Sequence, residues 1–181
     1  MQKLRLARKA YATQGHGVKT RSWPVVCLAL LPLLRLSSQV PDSIAPDFVL
    51  KTLTGDSVRL ADLKGHPVFL NFWASWCKPC RAEMNEIIAA YNAHHQAGLE
   101  VLAINLTDQE RMRDVRKFVT DLHLPFSVLL DEHGKVRKIY RLRGVPTSVF
   151  IDAEGVVRLV NIGPITGETL RHGLADILPA P

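Results

Sequence analysis

Phe72-Trp73-Ala74-Ser75-Trp76-Cys77-Lys78-Pro79-Cys80 joins an apolar strand to an amphipathic helix, and the rest of the chain reads as its support. Upstream, Val68-Phe69-Leu70-Asn71-Phe72-Trp73 is apolar except at Asn71, which is the pattern of a central parallel strand covered on both faces. Downstream, Met84, Ile87, Ile88 and Tyr91 recur at the spacing of a single helical face, and Gly98 marks a stop. The cysteines therefore fall at the first turn of a helix that leaves a buried strand.

Outward from this centre the pattern repeats. Leu99 to Leu106 reads as a second buried strand, Met112, Val115, Val119 and Leu122 as a second helical stripe, Phe126 to Leu130 as a third strand and Lys135 to Tyr140 as a short helix or turn. Strands that alternate with helices point to a mostly parallel sheet. Two hairpins flank the alternation: Phe48 to Leu50 with Val58 to Leu60 around Thr54-Gly55-Asp56, and Ser148 to Asp152 with Val156 to Val160 around Ala153-Glu154-Gly155. A last helix opens at Thr166 as N-cap, with Ile165 and Leu170 as a hydrophobic staple and Leu170, Leu174 and Ile177 on one face.

The 181 residues carry a net charge of +6, and its location decides what it means. Residues 1 to 40 hold seven basic residues and no acid, which leaves 16 of the 23 basic residues against 17 acids in the remainder, a net of −1. The basic balance belongs to the leader, and the domain has no footprint for nucleic acid. Within that leader the uncharged run from Trp23 to Leu34 has twelve residues. As a helix it would reach about 18 Å, short of the roughly 30 Å of bilayer hydrocarbon, so it suits a signal-peptide core. Arg35 at its end and the poor cleavage pattern Leu36-Ser37-Ser38-Gln39 keep a retained anchor open beside a cleaved signal. Either outcome places the domain outside the cytoplasm, periplasmic or extracytoplasmic, anchored to the inner membrane in the second case. The expected organisation is a signal peptide or membrane anchor over 1–36, a Ser/Pro-rich linker over 37–45 and one folded domain over 46–178.

Of three cysteines, Cys27 lies in the leader as an apolar filler, so the domain holds only Cys77 and Cys80. Two intervening residues at a helix start let both sulfurs approach bonding distance, while the helix dipole stabilises a thiolate. Cys77, the more exposed, attacks; Cys80 resolves the mixed disulfide. Such a pair is also half of many zinc sites, but zinc takes four ligands, no second cysteine pair exists, and His94 and His95 stand at the far end of the helix, about 20 Å away at 1.5 Å per residue. No metal and no cofactor beyond the Cys77–Cys80 disulfide is expected.

Trp76-Cys77-Lys78-Pro79-Cys80, the following Arg81-Ala82-Glu83-Met84, and Gly144-Val145-Pro146-Thr147 with Phe150-Ile151-Asp152 resemble the thioredoxin fold, and within it the exported TlpA/ResA-type thiol-disulfide oxidoreductases. The resemblance covers Ala45 to about Leu178. It implies an α/β thioredoxin fold: a central mixed sheet flanked by helices, with an N-terminal β-hairpin and an inserted helix between Leu106 and Phe126. It implies that Pro146 is a cis-proline beside the disulfide and that the backbone of Val145 pairs with bound peptide. Trp76 and Pro79 belong to the same substrate face, with Trp76 shielding the sulfurs, and Trp73 is read as core. Glu83 matches an acid which that branch places near the cysteines, where it would raise a thiolate pKa and hand over protons, against Lys78 and Arg81; a first-turn acid favoured by the helix dipole is the alternative. Asn71 stands where thioredoxin proper has a buried carboxylate, and Asn85 where the family usually has a helix-bending proline.

The function implied is reduction of disulfides in selected proteins, such as apocytochrome c or copper-site proteins, by a monomer that takes electrons from a membrane thiol carrier. Two other readings stand beside it. A thiol peroxidase of the peroxiredoxin type shares the fold but usually carries Thr three residues before its cysteine, where this chain has Ala74. A Sco-like copper chaperone would use His133 as a distant ligand but spaces its cysteines by three residues, not two.

Overall fold

The computed structural model describes residues 42–179. The leader expected over 1–36 and the start of the linker lie outside the described residues. Twelve regular elements run along the domain: β1 (Ser43–Ile44), β2 (Val49–Thr52), β3 (Ser57–Arg59), β4 (Val68–Trp73), α1 (Lys78–His94), β5 (Glu100–Asn105), α2 (Met112–Leu122), β6 (Ser127–Leu130), α3 (Lys135–Ile139), β7 (Thr147–Ile151), β8 (Val156–Ile162) and α4 (Gly167–Ile177). The strands form one sheet in the order β1-β8-β7-β4-β5-β6-β2-β3.

β4 is central, as a run apolar at every position but Asn71 requires, and the period of two along a strand divides its side chains between two cores. Phe69 and Trp73 enter a core with Met84 and Ile87 of α1, Val115 and Phe118 of α2, and Leu170, Leu174 and Ile177 of α4. Val68, Leu70 and Phe72 enter the other, with Ala45, Phe48, and Val136 and Tyr140 from the α3 side. The helical stripe read for α2 is amended in one place, because Phe118 is fully buried with Val115.

The sheet is mixed. β4–β5 and β5–β6 are parallel, whereas the other five pairings are antiparallel, so the expectation of a mostly parallel sheet is corrected. The alternation of strands and helices holds only from β4 to β6; the β7–β8 and β2–β3 hairpins lie on either side of it, and the two strands of a hairpin can only pair antiparallel. The linker boundary also moves. Ser43 and Ile44 pair with Val157 and Val156, and Ala45 is buried at 8% exposure, so the last three residues read as linker belong to the fold.

α4 begins as expected, with Thr166 Oγ1 accepting from Thr169 N at 3.2 Å. Gly173 in its interior is there for contact and not for flexibility: a Cβ at this position would lie 2.6 Å from Cε1 and Cζ of the Phe150 ring. Alanine gains about 1 kcal/mol over glycine in a helix, but overpacking a rigid aromatic costs about 1–3 kcal/mol. Gly173→Ala is therefore expected to lower stability, by about 1 kcal/mol, as a reduced denaturant midpoint with an unchanged slope.

Candidate active site

Cys77 is the N-cap of α1 and Pro79 stands in its first turn, where a missing N–H leaves no bond unmade. The cysteines are joined as a disulfide with Cα atoms 5.3 Å apart. Cys80 N donates to Cys77 Sγ at 3.1 Å, so one of the orphan amides at the helix start already addresses the sulfur that would carry a thiolate. Cys77 is 4% exposed and Cys80 fully buried, while Trp76 beside them is 56% exposed. Trp73 turns inward, stacked on Phe118 at 4.3 Å between ring centroids, with Arg81 over the other ring at 4.4 Å from its centroid.

β7 runs antiparallel beside β4, with Thr147 opposite Phe72, which brings the Val145–Pro146 bond to the end of the sheet that carries the cysteines. That bond is cis. The Pro146 carbonyl accepts from Gly163 N at 2.9 Å, whereas the backbone of Val145 has no hydrogen-bond partner among the described residues. Its amide and carbonyl are left open to a further hydrogen bond.

Glu83 lies three residues after Cys80 on α1, hence on the same helix face. It is 4% exposed. Asn71 Nδ2 donates to its Oε1 at 2.9 Å and Ile165 N to its Oε2 at 2.8 Å, and Asn71 Nδ2 also reaches Ser148 Oγ at 3.2 Å. Burial pushes the Glu83 carboxyl above its ordinary value, and the two hydrogen bonds that favour the carboxylate offset this only in part. The alternative of a first-turn acid does not hold: α1 starts at Lys78 and has no acid in its first turn. Asn71 Oδ1 has no partner among the described residues.

One residue escaped the sequence reading. Glu110, in the loop after β5, accepts from Ser75 N at 3.0 Å and from Asn105 Nδ2 at 2.7 Å, and also from Ser75 Oγ. It ties down the turn that presents Trp76 and Cys77. No local signal marks it, since an acid in a polar loop is ordinary and its partner Ser75 is 35 residues away in sequence. Glu110→Ala is expected to cost about 1.5–3 kcal/mol, the range for hydrogen bonds to a charged group, and Glu110→Gln about half of that because an amide oxygen still accepts; denaturant unfolding measures both.

Among the described residues no group of three or more His, Cys, Asp or Glu side chains is placed to hold a metal ion, and His133 is exposed beyond β6. A redox-active cysteine pair at a helix start, a cis-proline beside it and a buried acid on the same helix make a site for thiol-disulfide exchange. Compared with known proteins, residues 41–160 match the model of the AhpC/TSA family. The chain belongs to that family. The thiol-disulfide oxidoreductase ResA of Geobacillus thermodenitrificans is 38% identical over 137 residues, covering 76% of this chain and 78% of that protein. The crystal structure of StoA from Bacillus subtilis matches with a TM-score of 0.63 at 31% identity, over 74% of this chain and 98% of that one. A secreted Mycobacterium tuberculosis disulfide oxidoreductase homologous to E. coli DsbE matches with a TM-score of 0.65 at 26% identity, over 72% of this chain and 96% of that one. This member of the AhpC/TSA family is thus a thiol-disulfide oxidoreductase of the ResA type with the thioredoxin fold.

Proposed function

We propose that the chain reduces disulfides in selected proteins outside the cytoplasm, with apocytochrome c and copper-site proteins as the substrate types and a membrane dithiol carrier as electron donor. The carrying observation is the juxtaposition of the Cys77–Cys80 pair with the unpaired Val145 backbone before Pro146, a docking edge for a polypeptide beside a sulfur. The acid-free leader and the secreted M. tuberculosis relative support export. Ala74 before the active turn favours exchange over peroxide reduction.

In the reduced chain, Cys77 as thiolate, held by the amide of Cys80, attacks one sulfur of the partner's disulfide. A Cys77–partner S–S bond forms, and the other partner sulfur leaves as thiolate and takes up a proton. Cys80 then gives its proton to Glu83 and attacks Cys77 Sγ, expelling the second partner sulfur. That sulfur leaves as thiolate and takes the proton back from Glu83, so the partner gains two electrons with one proton from Cys80 and one from solvent; the Cys77–Cys80 disulfide closes, and the carrier dithiol reopens it by the same exchange in reverse. Trp76 and Pro79 line the contact surface around Cys77.

Cys80→Ser removes the resolving sulfur. It should freeze partners on Cys77 as mixed disulfides, visible as reductant-sensitive adducts in an exported fraction and absent from the Cys77→Ser, Cys80→Ser double variant. No Cys77-linked adduct would remove the main support for protein-disulfide exchange. A reduction potential as high as the about −120 mV of DsbA would overturn the reducing direction.

A further inference from the structure

The segment Lys135-Val136-Arg137-Lys138-Ile139-Tyr140-Arg141-Leu142-Arg143 carries five cations, and no acid occurs from His133 to Ile151. β4, β5 and β6 are parallel, so their C-terminal ends share one edge of the sheet; the cysteines follow β4, and α3 follows β6 at that same edge. From α3 the chain passes through Arg141, Arg143 and Gly144 into Val145 and Pro146, so the basic run ends on the wall of the candidate docking edge. Arg143 stands three residues before Pro146, so the chain holds them within about 10 Å.

The nearest acids are already engaged. Asp131 accepts from Val136 N at 3.2 Å and from Arg137 N at 2.8 Å, and Asp108 pairs with Arg137 at 2.9 Å. Lys135, Lys138, Arg141 and Arg143 are exposed and, among the described residues, form no ion pair; Lys78 next to Cys77 is in the same state, and Glu132 is the one exposed acid adjoining the run. Asp152, Glu154 and Asp176 line the surface around Pro67 and Gly98 at the opposite edge, where Asp42 and Asp152 both pair with Arg158. The unpaired cations of the run and Lys78 thus stand at the end of the sheet that carries the sulfurs.

We propose that this basic wall selects partners whose disulfide is flanked by Asp or Glu, with Arg143, Arg141 and Lys138 receiving the acids while Cys77 takes the sulfur. The proposal rests on the disulfide-exchange reading and adds the chemistry of the substrate segment. Complementary charge at a contact rim acts mainly on encounter rate and on choice among partners, and salt screens it.

The test uses the reduced full chain and three synthetic peptides that share one intramolecular disulfide and differ in flanks: Glu/Asp, Ser/Gly or Lys. At low ionic strength the acidic peptide is expected to be reduced about tenfold faster than the uncharged one and the lysine peptide slowest, with the ratios approaching one near 1 M salt, where the Debye length is about 3 Å. Arg143→Glu combined with Arg141→Asn should bring the acidic-to-uncharged ratio close to one. Asparagine is chosen because Arg141 has φ +48, in the left-handed region that Asn tolerates. Lys138→Gln, at an exposed helical position, is expected to give an intermediate ratio and serves if the double variant folds poorly.

Equal rates for acidic and uncharged peptides overturn the proposal and leave disulfide exchange standing; failure to reduce any peptide overturns the underlying reading instead. If the charge changes weaken retention on anionic phospholipid vesicles and leave the peptide ratio intact, the basic run serves a lipid surface and the proposal fails.

Discussion

Replacing Glu83 with glutamine is expected to slow resolution of the mixed disulfide about a hundredfold, near the lower end of what a positioned proton acceptor contributes. Glutamine keeps the volume and an oxygen for Ile165 N, which holds Glu83 at 2.8 Å, but it cannot take the Cys80 proton. Turned over, the Asn71 amide would offer the glutamine an acceptor in Oδ1, the atom that has no partner among the described residues, so the variant should fold. Stopped-flow reduction of a disulfide peptide across pH measures the effect. The wild-type profile should carry an inflection above the ordinary carboxylate range that the variant lacks, and an unchanged rate and profile would remove Glu83 from the mechanism.

The same substitution carries a stability signature of definite sign. Burial raises the folded-state pKa of Glu83 above its ordinary value of 4.5, so the folded chain holds this proton more tightly than the unfolded one. The contribution of Glu83 to stability must then fall as pH rises from about the unfolded value through the raised folded one, because the unfolded chain ionises first. Glu83→Gln abolishes that fall. Relative to wild type the variant should gain stability steadily across this window, read as a rising difference in denaturant midpoints, and a difference independent of pH would contradict the buried acid.

The second large effect is at Trp73. Its indole is fully buried against Phe118 and fills the core between β4, α1 and α2. Trp73→Ala is expected to cost about 3–5 kcal/mol, a large share of the about 5–15 kcal/mol that holds a typical domain together, and should leave the chain largely unfolded in mild denaturant. Trp73→Phe separates volume from polarity. The indole Nε1 has no hydrogen-bond partner among the described residues, so phenylalanine loses packing but also removes a buried donor whose desolvation costs about 1–3 kcal/mol. The two effects oppose at similar size, and Trp73→Phe should fall within about 1 kcal/mol of wild type. Equilibrium unfolding followed by far-ultraviolet circular dichroism measures both.

The extent to which the site was legible in advance follows the range of each interaction. Helix α1, its stripe of Met84 and Ile87, and the placement of Cys77 at its cap rest on contacts within one or two turns, which spacing reports directly. The edges were harder: the C-terminal strands announced a hairpin, but nothing local says that Ser43 pairs with Val157 or that β2 joins β6.

Residue types and spacing by themselves determined the elements, the buried central strand and the cysteine pair at a helix start, because local backbone preference and side-chain period act over a few residues. Tertiary structure alone decided the environment of the chemistry. Glu83 became a buried acid only when Ile165, 82 residues away, and Asn71 on β4 closed around it, and the active turn was secured only when Glu110 reached Ser75. A proton affinity depends on burial and on the donors within hydrogen-bond reach, and those are assembled by the folded sheet, not by neighbours along the chain.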